Sequence, residues 1–231
     1  MIELEGRDIA FAVVRNSRSR RVRLRLDIDL VVKIVTPLRC PPLQVRDLLQ
    51  PHRRWIIEHL DRLREGRYLP LEVGSTVRFL GEDMTLALEH SNTARVLIEG
   101  EKLRILVPSF DEHEIVGALQ SWYRFEAASK LRERVDHWSA VLGVKSLQLT
   151  IRDQRTRWGS CSARGRLSFS WRLILAPFDV LDYVVLHEVA HLREHNHSRR
   201  FWAIVSDNCH DHQVHRKWLR KEGPGLAAYM R

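Results

Sequence analysis

The stretch LHEVAHLREHNHSRRFW, residues 186–202, constrains the fold more than any other part of the chain. Val180, Leu181, Val184, Val185, Val189 and Leu192 recur at three- and four-residue spacing, the pattern of a helix with a broad apolar face. Pro177 to Asp179 supply start signals, with Asp179 as the expected N-cap. A helix this apolar has to be mostly buried, so its histidines and its glutamate are carried into or beside a core.

A helix turns about 100° and rises about 1.5 Å per residue, which sets His187 and His191 about 40° and about 6 Å apart on one face. Both rings can converge on one ion, and Glu188, about 100° to the side, can reach a water at that ion without displacing a histidine. His195 continues the stripe but lies about 12 Å along the axis from His187, too far to share a metal whose bonds to nitrogen are about 2 Å. His197 becomes available where the chain leaves the helix and folds back. Asn196 tolerates the left-handed conformation that ends helices, and Ser198 can cap a new helix running into Phe201, Trp202 and Val205. The expected metal ligands are therefore His187, His191 and His197, with Glu188 as the catalytic base and His195 outside the set.

The remaining composition narrows the class. The chain has 231 residues, 44% hydrophobic and 29% charged, which suits a globular protein with a substantial core. No apolar run is long enough for a secretory leader or a membrane span, so the expected location is the cytoplasm. Cys40, Cys161 and Cys209 are odd in number and far apart, which argues against a disulfide framework and leaves histidine as the zinc ligand. The net charge of +9 suits a polyanionic partner, but no motif with base-reading spacing accompanies it.

Upstream, IAFAVV, RVRLRLDI and LVVKIV read as three short strands, with Arg21, Arg23 and Arg25 outward and Val22, Leu24 and Leu26 inward. Residues 16–19 make the first turn. Pro41 and Pro42 open a helix with a stripe of Val45, Leu48, Leu49, Trp55, Ile56, Leu60 and Leu63, ending near Gly66. Two hairpins follow, turning at 81–83 and at Gly100-Glu101. Asp111 then caps a long helix through Ile115, Leu119, Trp122, Phe125, Leu131, Val135 and Trp138. Residues 146–157 and 166–173 read as a hairpin turning at Ala163-Arg164-Gly165, directly before the histidine helix. This is an α+β pattern: a β-rich region 1–110 with one helix, then a catalytic region 111–231, able to pack as one unit.

RTRWGSCS at 155–162, LSFSWRLILAP after it, and HEVAH followed by NHS and FW at 201–202 resemble the YgjP-like zinc metallopeptidases, relatives of the SprT-type proteins. NSRSRRVRLRL and PHRRWI are similar to that family's N-terminal half. The resemblance implies a zincin-like catalytic core, a sheet or hairpin packed on the His-Glu-x-x-His helix with C-terminal helices. It implies zinc on His187, His191 and His197, Glu188 as the base, and a polypeptide substrate. The spacing also equals the metzincin signature, but Glu194 stands where that group has a turn-making glycine, so the break is expected later, at Asn196.

Three neutral histidines leave a divalent ion one open position, where a bound water becomes acidic enough for Glu188 to take its proton, and amide hydrolysis follows. The 166–173 strand is the expected partner for extended substrate. Arg155, Arg157 and Tyr183 are candidates to stabilise the oxyanion. Trp158 and Cys161 read as structural. Cys209, His210, Asp211, His212 and His215 read as a solvated surface, since Arg216, Lys217, Arg220 and Lys221 repel a cation. Two alternatives stay open: a nucleoside triphosphate pyrophosphatase using the arginines at 152, 155, 157, 164, 166 and 172, and a nucleic-acid binding protein with structural zinc.

Overall fold

The computed structural model describes residues 1–17, 19–26, 30–40, 44–67, 71–154 and 157–230. Pro41, Pro42, Arg18 and Arg155 of the expectations above lie outside them.

The architecture is α+β. A hairpin of β1 (Ile2–Leu4) and β2 (Arg7–Ile9) turns through Glu5 and Gly6, both left-handed, the geometry that matches strand twist in a two-residue turn. Strands of three residues are too short for a period of two to show, so this hairpin is invisible in the sequence pattern. β3 (Phe11–Arg15), β4 (Arg23–Leu26) and β5 (Val32–Thr36) form a sheet ordered β3-β5-β4, with β3 parallel and β4 antiparallel to β5. Arg21, Arg23 and Arg25 are exposed and Val22, Leu24 and Leu26 half-buried, as the alternation predicts. Next come α1 (Val45–Leu49), one 3-10 turn at Gln50–His52 containing Pro51, and α2 (Arg53–Arg67). Leu4, Ile9, Val32, Ile34, Leu49, Ile56 and Leu60 close a small core of their own.

A four-stranded sheet follows, made of β6 (Thr76–Phe79), β7 (Glu82–His90), β8 (Arg95–Glu99) and β9 (Lys102–Val107), ordered β6-β7-β9-β8. The first turn is Leu80-Gly81, both left-handed, one residue earlier than the glycine suggests. A Cβ on Gly81 would stand 2.7 Å from the Cα of Pro177, and Leu80 N–H donates to the Ile174 carbonyl at 2.8 Å. The hairpin tip is thereby pressed against the segment that enters the histidine helix.

α3 (Glu112–Leu142) lies on this sheet and buries Ile115, Leu119, Tyr123, Ala127, Leu131, Val135, Trp138 and Leu142, one continuous stripe at three- and four-residue spacing. Asp111 is its N-cap residue, without a side-chain capping bond. Phe125, expected on the stripe, is 70% exposed, because the stripe passes through Tyr123 and Ala127 instead.

β10 (Gln148–Arg152), β11 (Gly159–Cys161) and β12 (Arg166–Ser170) form the third sheet, ordered β10-β12-β11. The expected hairpin of 146–157 with 166–173 is corrected: β10 runs parallel to β12, and the antiparallel partner across the 163–165 turn is β11. Residues 171–175 leave the sheet as a fully buried 3-10 turn. α4 (Phe178–Ala190), α5 (Arg199–Asn208) and α6 (His212–Ala228) complete the chain. One apolar cluster from Leu71 to Met230 joins the four-stranded sheet, α3, β12 and the C-terminal helices. Among the described residues no helix is long and apolar enough to cross a membrane.

Candidate metal centre

α4 is buried on nearly every side: Val180, Leu181, Val184, Val185, Leu186 and Val189 are at most 5% exposed. Each such aliphatic side chain contributes about 1.5–3 kcal/mol relative to exposure, enough together to hold polar groups where they would not place themselves. The N-cap is Pro177 and not Asp179, which instead lies in the first turn where the positive end of the helix dipole favours a carboxylate.

The helix also ends sooner than expected. His191 is its C-cap, and Leu192, Arg193 and Glu194 donate their N–H groups to Val189 and Ala190 carbonyls at 2.9–3.0 Å in a tightened last turn. No described residue from 191 to 198 has a positive φ, so Asn196 is not the left-handed break that its side chain suggested. The apolar face runs out after Leu192, and the His191 Nδ1 sits 3.0 Å from the Glu194 carbonyl, taking up a group the helix end leaves free. Glu194 makes no glycine-like turn. Ser198 caps α5 as predicted, its Oγ accepting from Phe201 N–H at 3.3 Å.

This fold-back brings His197 onto α4. The ring nitrogens of His187, His191 and His197 lie within 4.8 Å of one another, and His187 Nε2 and His197 Nε2 are 3.1 Å apart. Two nitrogens sharing a tetrahedral zinc at about 2.0 Å are about 3.3 Å apart, so the pair needs little adjustment to share an ion. Phe201 backs all three rings, with centroids at 4.8, 4.4 and 4.8 Å from His187, His191 and His197. Trp202 stacks on His197 at 5.7 Å. His195 is exposed and outside the group.

The donor set fits a divalent metal. Burial, reinforced by the neighbouring histidines and by Arg216, pushes the His187 pKa down to about 3, and burial lowers that of His191. Both rings are therefore neutral near pH 7 and keep a lone pair. His191 donates from Nδ1 to the Glu194 carbonyl, leaving Nε2 free, which is the usual outer bond of a metal-ligating histidine.

Glu188 is 8% exposed, and burial pushes its pKa up to about 7 against the Cys161 backbone N–H and the Arg157 charge, which lower it. Its place is made by Gly159. A Cβ there would stand 2.6 Å from the Glu188 Cγ, so the β11 backbone can approach only without a side chain. The WGSCS stretch thus supplies the space and the N–H that hold the carboxylate. The Cys161 thiol, half-buried beside Glu188, is pushed up to about 11 by burial and by that carboxylate, which suits a structural role and not a nucleophile.

A cleft of about 320 Å³ opens beside His187 and Glu188, walled by Trp158, Tyr183, Val184 and Leu219 and rimmed by Arg157, Arg216 and Arg220. Burial pushes the Tyr183 pKa up to about 12, so its phenol stays a neutral donor. Of the arginines expected to clamp phosphate, Arg157 alone of those described lines this cleft. Arg152, Arg164 and Arg166 are exposed elsewhere, and Arg172 is 1% exposed, paired with Asp153 and donating from Nε to the Tyr229 carbonyl at 3.0 Å. Arg216 and Arg220, read from the sequence as solvated surface, are the cleft's own arginines. The Cys209–His215 segment forms no metal-binding group among the described residues; His212 stacks on Trp202 and His215 makes a tilted contact with Tyr183.

The family model for the YgjP-like, metallopeptidase domain matches residues 20–222. The chain belongs to the YgjP-like family. The match contains every residue of the histidine cluster, Glu188 and the cleft. No curated protein and no solved structure matches the chain. Membership in the YgjP-like family makes this a metallopeptidase at the level of the family, with the metal ion and polypeptide substrate that class implies.

Proposed function

We propose that this YgjP-like protein is a zinc-dependent peptidase in which His187, His191 and His197 hold the ion and Glu188 is the general base. The observation that carries the reading is the convergence of three imidazoles, two on α4 and one returned by the Ser198-capped turn, beside a buried carboxylate. The surrounding arrangement, β10–β12 packed on α4 with α5 and α6 behind, is a zincin-like core. The N-terminal region 1–110 packs with the catalytic region 111–231 as one unit, a reading supported by the apolar cluster that residues 71–107 share with the catalytic region and by the packing of α2, whose own small core is separate, against α6.

Zinc when bound would acidify a water and polarise the scissile carbonyl, and three protein ligands leave the open position this needs. Glu188, buried and held by the Cys161 N–H, takes the proton of the attacking water and passes it to the leaving amine. A carboxyl with a pKa near the working pH can do both. Tyr183, a neutral donor in the cleft wall, and Arg157 at its rim are the groups placed to meet charge developing on the carbonyl oxygen. Extended substrate pairs with β11 and not with 166–173 as the sequence reading had it, because β12 already has a partner on each edge whereas β11 is an outer strand beside Glu188. The expected compartment is the cytoplasm, where three unpaired cysteines persist.

Zinc content and peptide hydrolysis of Glu188→Gln and His197→Ala test the reading. The first variant keeps zinc and loses hydrolysis, and the second loses both; full activity in either ends the assignment.

A further inference from the structure

The cleft beside Glu188 carries more positive charge than cleavage of a neutral amide calls for. α6 presents Arg216 and Arg220, one turn apart, along one wall, and Arg157 stands on the other just before β11. Several arginines elsewhere in the chain meet carboxylates: Arg7 with Asp61, Arg53 with Glu5, Arg104 with Glu89 and Glu99, Arg134 with Asp182, Arg172 with Asp153. Among the described residues, none of the three cleft arginines has such a partner, and Glu188 is the single acid lining the cleft. The guanidinium of Arg216 lies over the Trp202 ring at 4.6 Å, a cation–π contact that helps to hold the charge in place and does not use up its N–H donors. Cations over apolar walls are screened less than on open surface, so an anion gains more there.

The geometry points to a carboxylate of the substrate in this cleft, held by Arg216 and Arg220 with Arg157 at the opposite rim. That carboxylate is an aspartate or glutamate side chain next to the scissile bond, or the substrate's own C-terminus. A cleft of about 320 Å³ is at the small end for a ligand site and admits a side chain or a chain end, not a folded surface. The inference rests on the peptidase reading of the histidine cluster and names its substrate class.

The test uses the zinc-loaded protein and peptides carrying Glu, Gln or Lys on either side of the cleaved bond, each with a free or an amidated C-terminus. At one position Glu exceeds Gln in kcat/KM by about tenfold or more, the worth of a charge-assisted pair over a neutral one. A similar preference for free over amidated ends assigns the chain terminus instead. Arg216→Gln with Arg220→Gln brings the ratio toward one, and Arg216→Glu moves the preference toward Lys. Equal rates for Glu and Gln and for both kinds of end, or an unchanged ratio in the double variant, overturn the inference. Calorimetric titration of Glu188→Gln with the Glu and Gln peptides reads the subsite without turnover. If no peptide is cleaved the peptidase reading falls, while that titration still decides the subsite. Release of phosphate from nucleoside triphosphates, with no binding preference for Glu over Gln, hands the arginines to a polyphosphate and rejects the carboxylate.

Discussion

Two charged side chains are buried in the same apolar cluster and are treated in opposite ways. Arg172, 1% exposed, is met by Asp153, by the Tyr229 carbonyl and by the face of Trp171 at 4.2 Å. Glu188, 8% exposed, receives one backbone N–H and the charge of exposed Arg157, and its pKa rises to about 7. The first group is neutralised where it sits and ties the C-terminal segment to the core. The second is left under-satisfied at the edge of a cleft, a condition common at catalytic sites and in line with the role proposed for Glu188. Burial alone therefore says little about function; what distinguishes the two is how completely each charge is answered.

The comparison breaks most decisively at Glu188. Glu188→Gln preserves shape and removes the proposed base, so hydrolysis is expected to fall by about 10²–10⁴-fold with the melting temperature equal or higher, measured by peptide turnover and calorimetry. Arg172→Ala should do the reverse. Losing one partner of a buried pair costs about 3 kcal/mol here, at the low end because Asp153 stays partly in solvent, and shows in denaturant unfolding with the histidine cluster intact. Gly159→Ala tests how Glu188 is held: the added methyl overpacks by about 1–3 kcal/mol and displaces the carboxylate, so activity should drop further than stability alone explains. Ser198→Ala removes the cap that returns His197, costing about 1 kcal/mol and weakening zinc binding in a chelator competition.

A pH measurement sharpens the contrast. In the metal-free protein burial raises the folded-state pKa of Glu188 to about 7 from its ordinary value of 4.5, so the folded state binds the extra proton between these limits. Stability is therefore lost as pH rises through that window, and the wild type should lose it relative to Glu188→Gln. His187, lowered to about 3, acts in the opposite direction below about 6.5 and cancels in the comparison.

Much of this site could be read from the chain because helical spacing is a local property. The one-turn separation of His187 and His191, the exclusion of His195 and the Ser198 cap all follow from geometry within a dozen residues. What escaped was set by distant partners. Three times, at β3-β5-β4, β7-β9-β8 and β10-β12-β11, a strand is followed by a hairpin whose second strand inserts beside it in parallel. Alternation announces each strand but carries no trace of that order, which is why the segment at 146–157 was paired wrongly. Arg172 counted among the arginines able to clamp phosphate because its partners, Asp153 and a carbonyl near the chain end, are not visible from its sequence neighbours. Arg216 and Arg220 looked like solvated charge because nothing nearby in sequence shows that α6 faces the cleft. Phe201 gave a hint as the residue the Ser198 cap serves, though its place behind three imidazoles needed the fold.

The central claim, that residues 187, 191 and 197 together hold one ion, is tested most directly by anomalous diffraction at the zinc edge from crystals of the zinc-loaded protein. The account predicts one peak per chain about 2.0–2.1 Å from a ring nitrogen of each histidine, with Glu188 beside it and not bound. A peak held by other residues, or one with the His197 ring turned away, contradicts it.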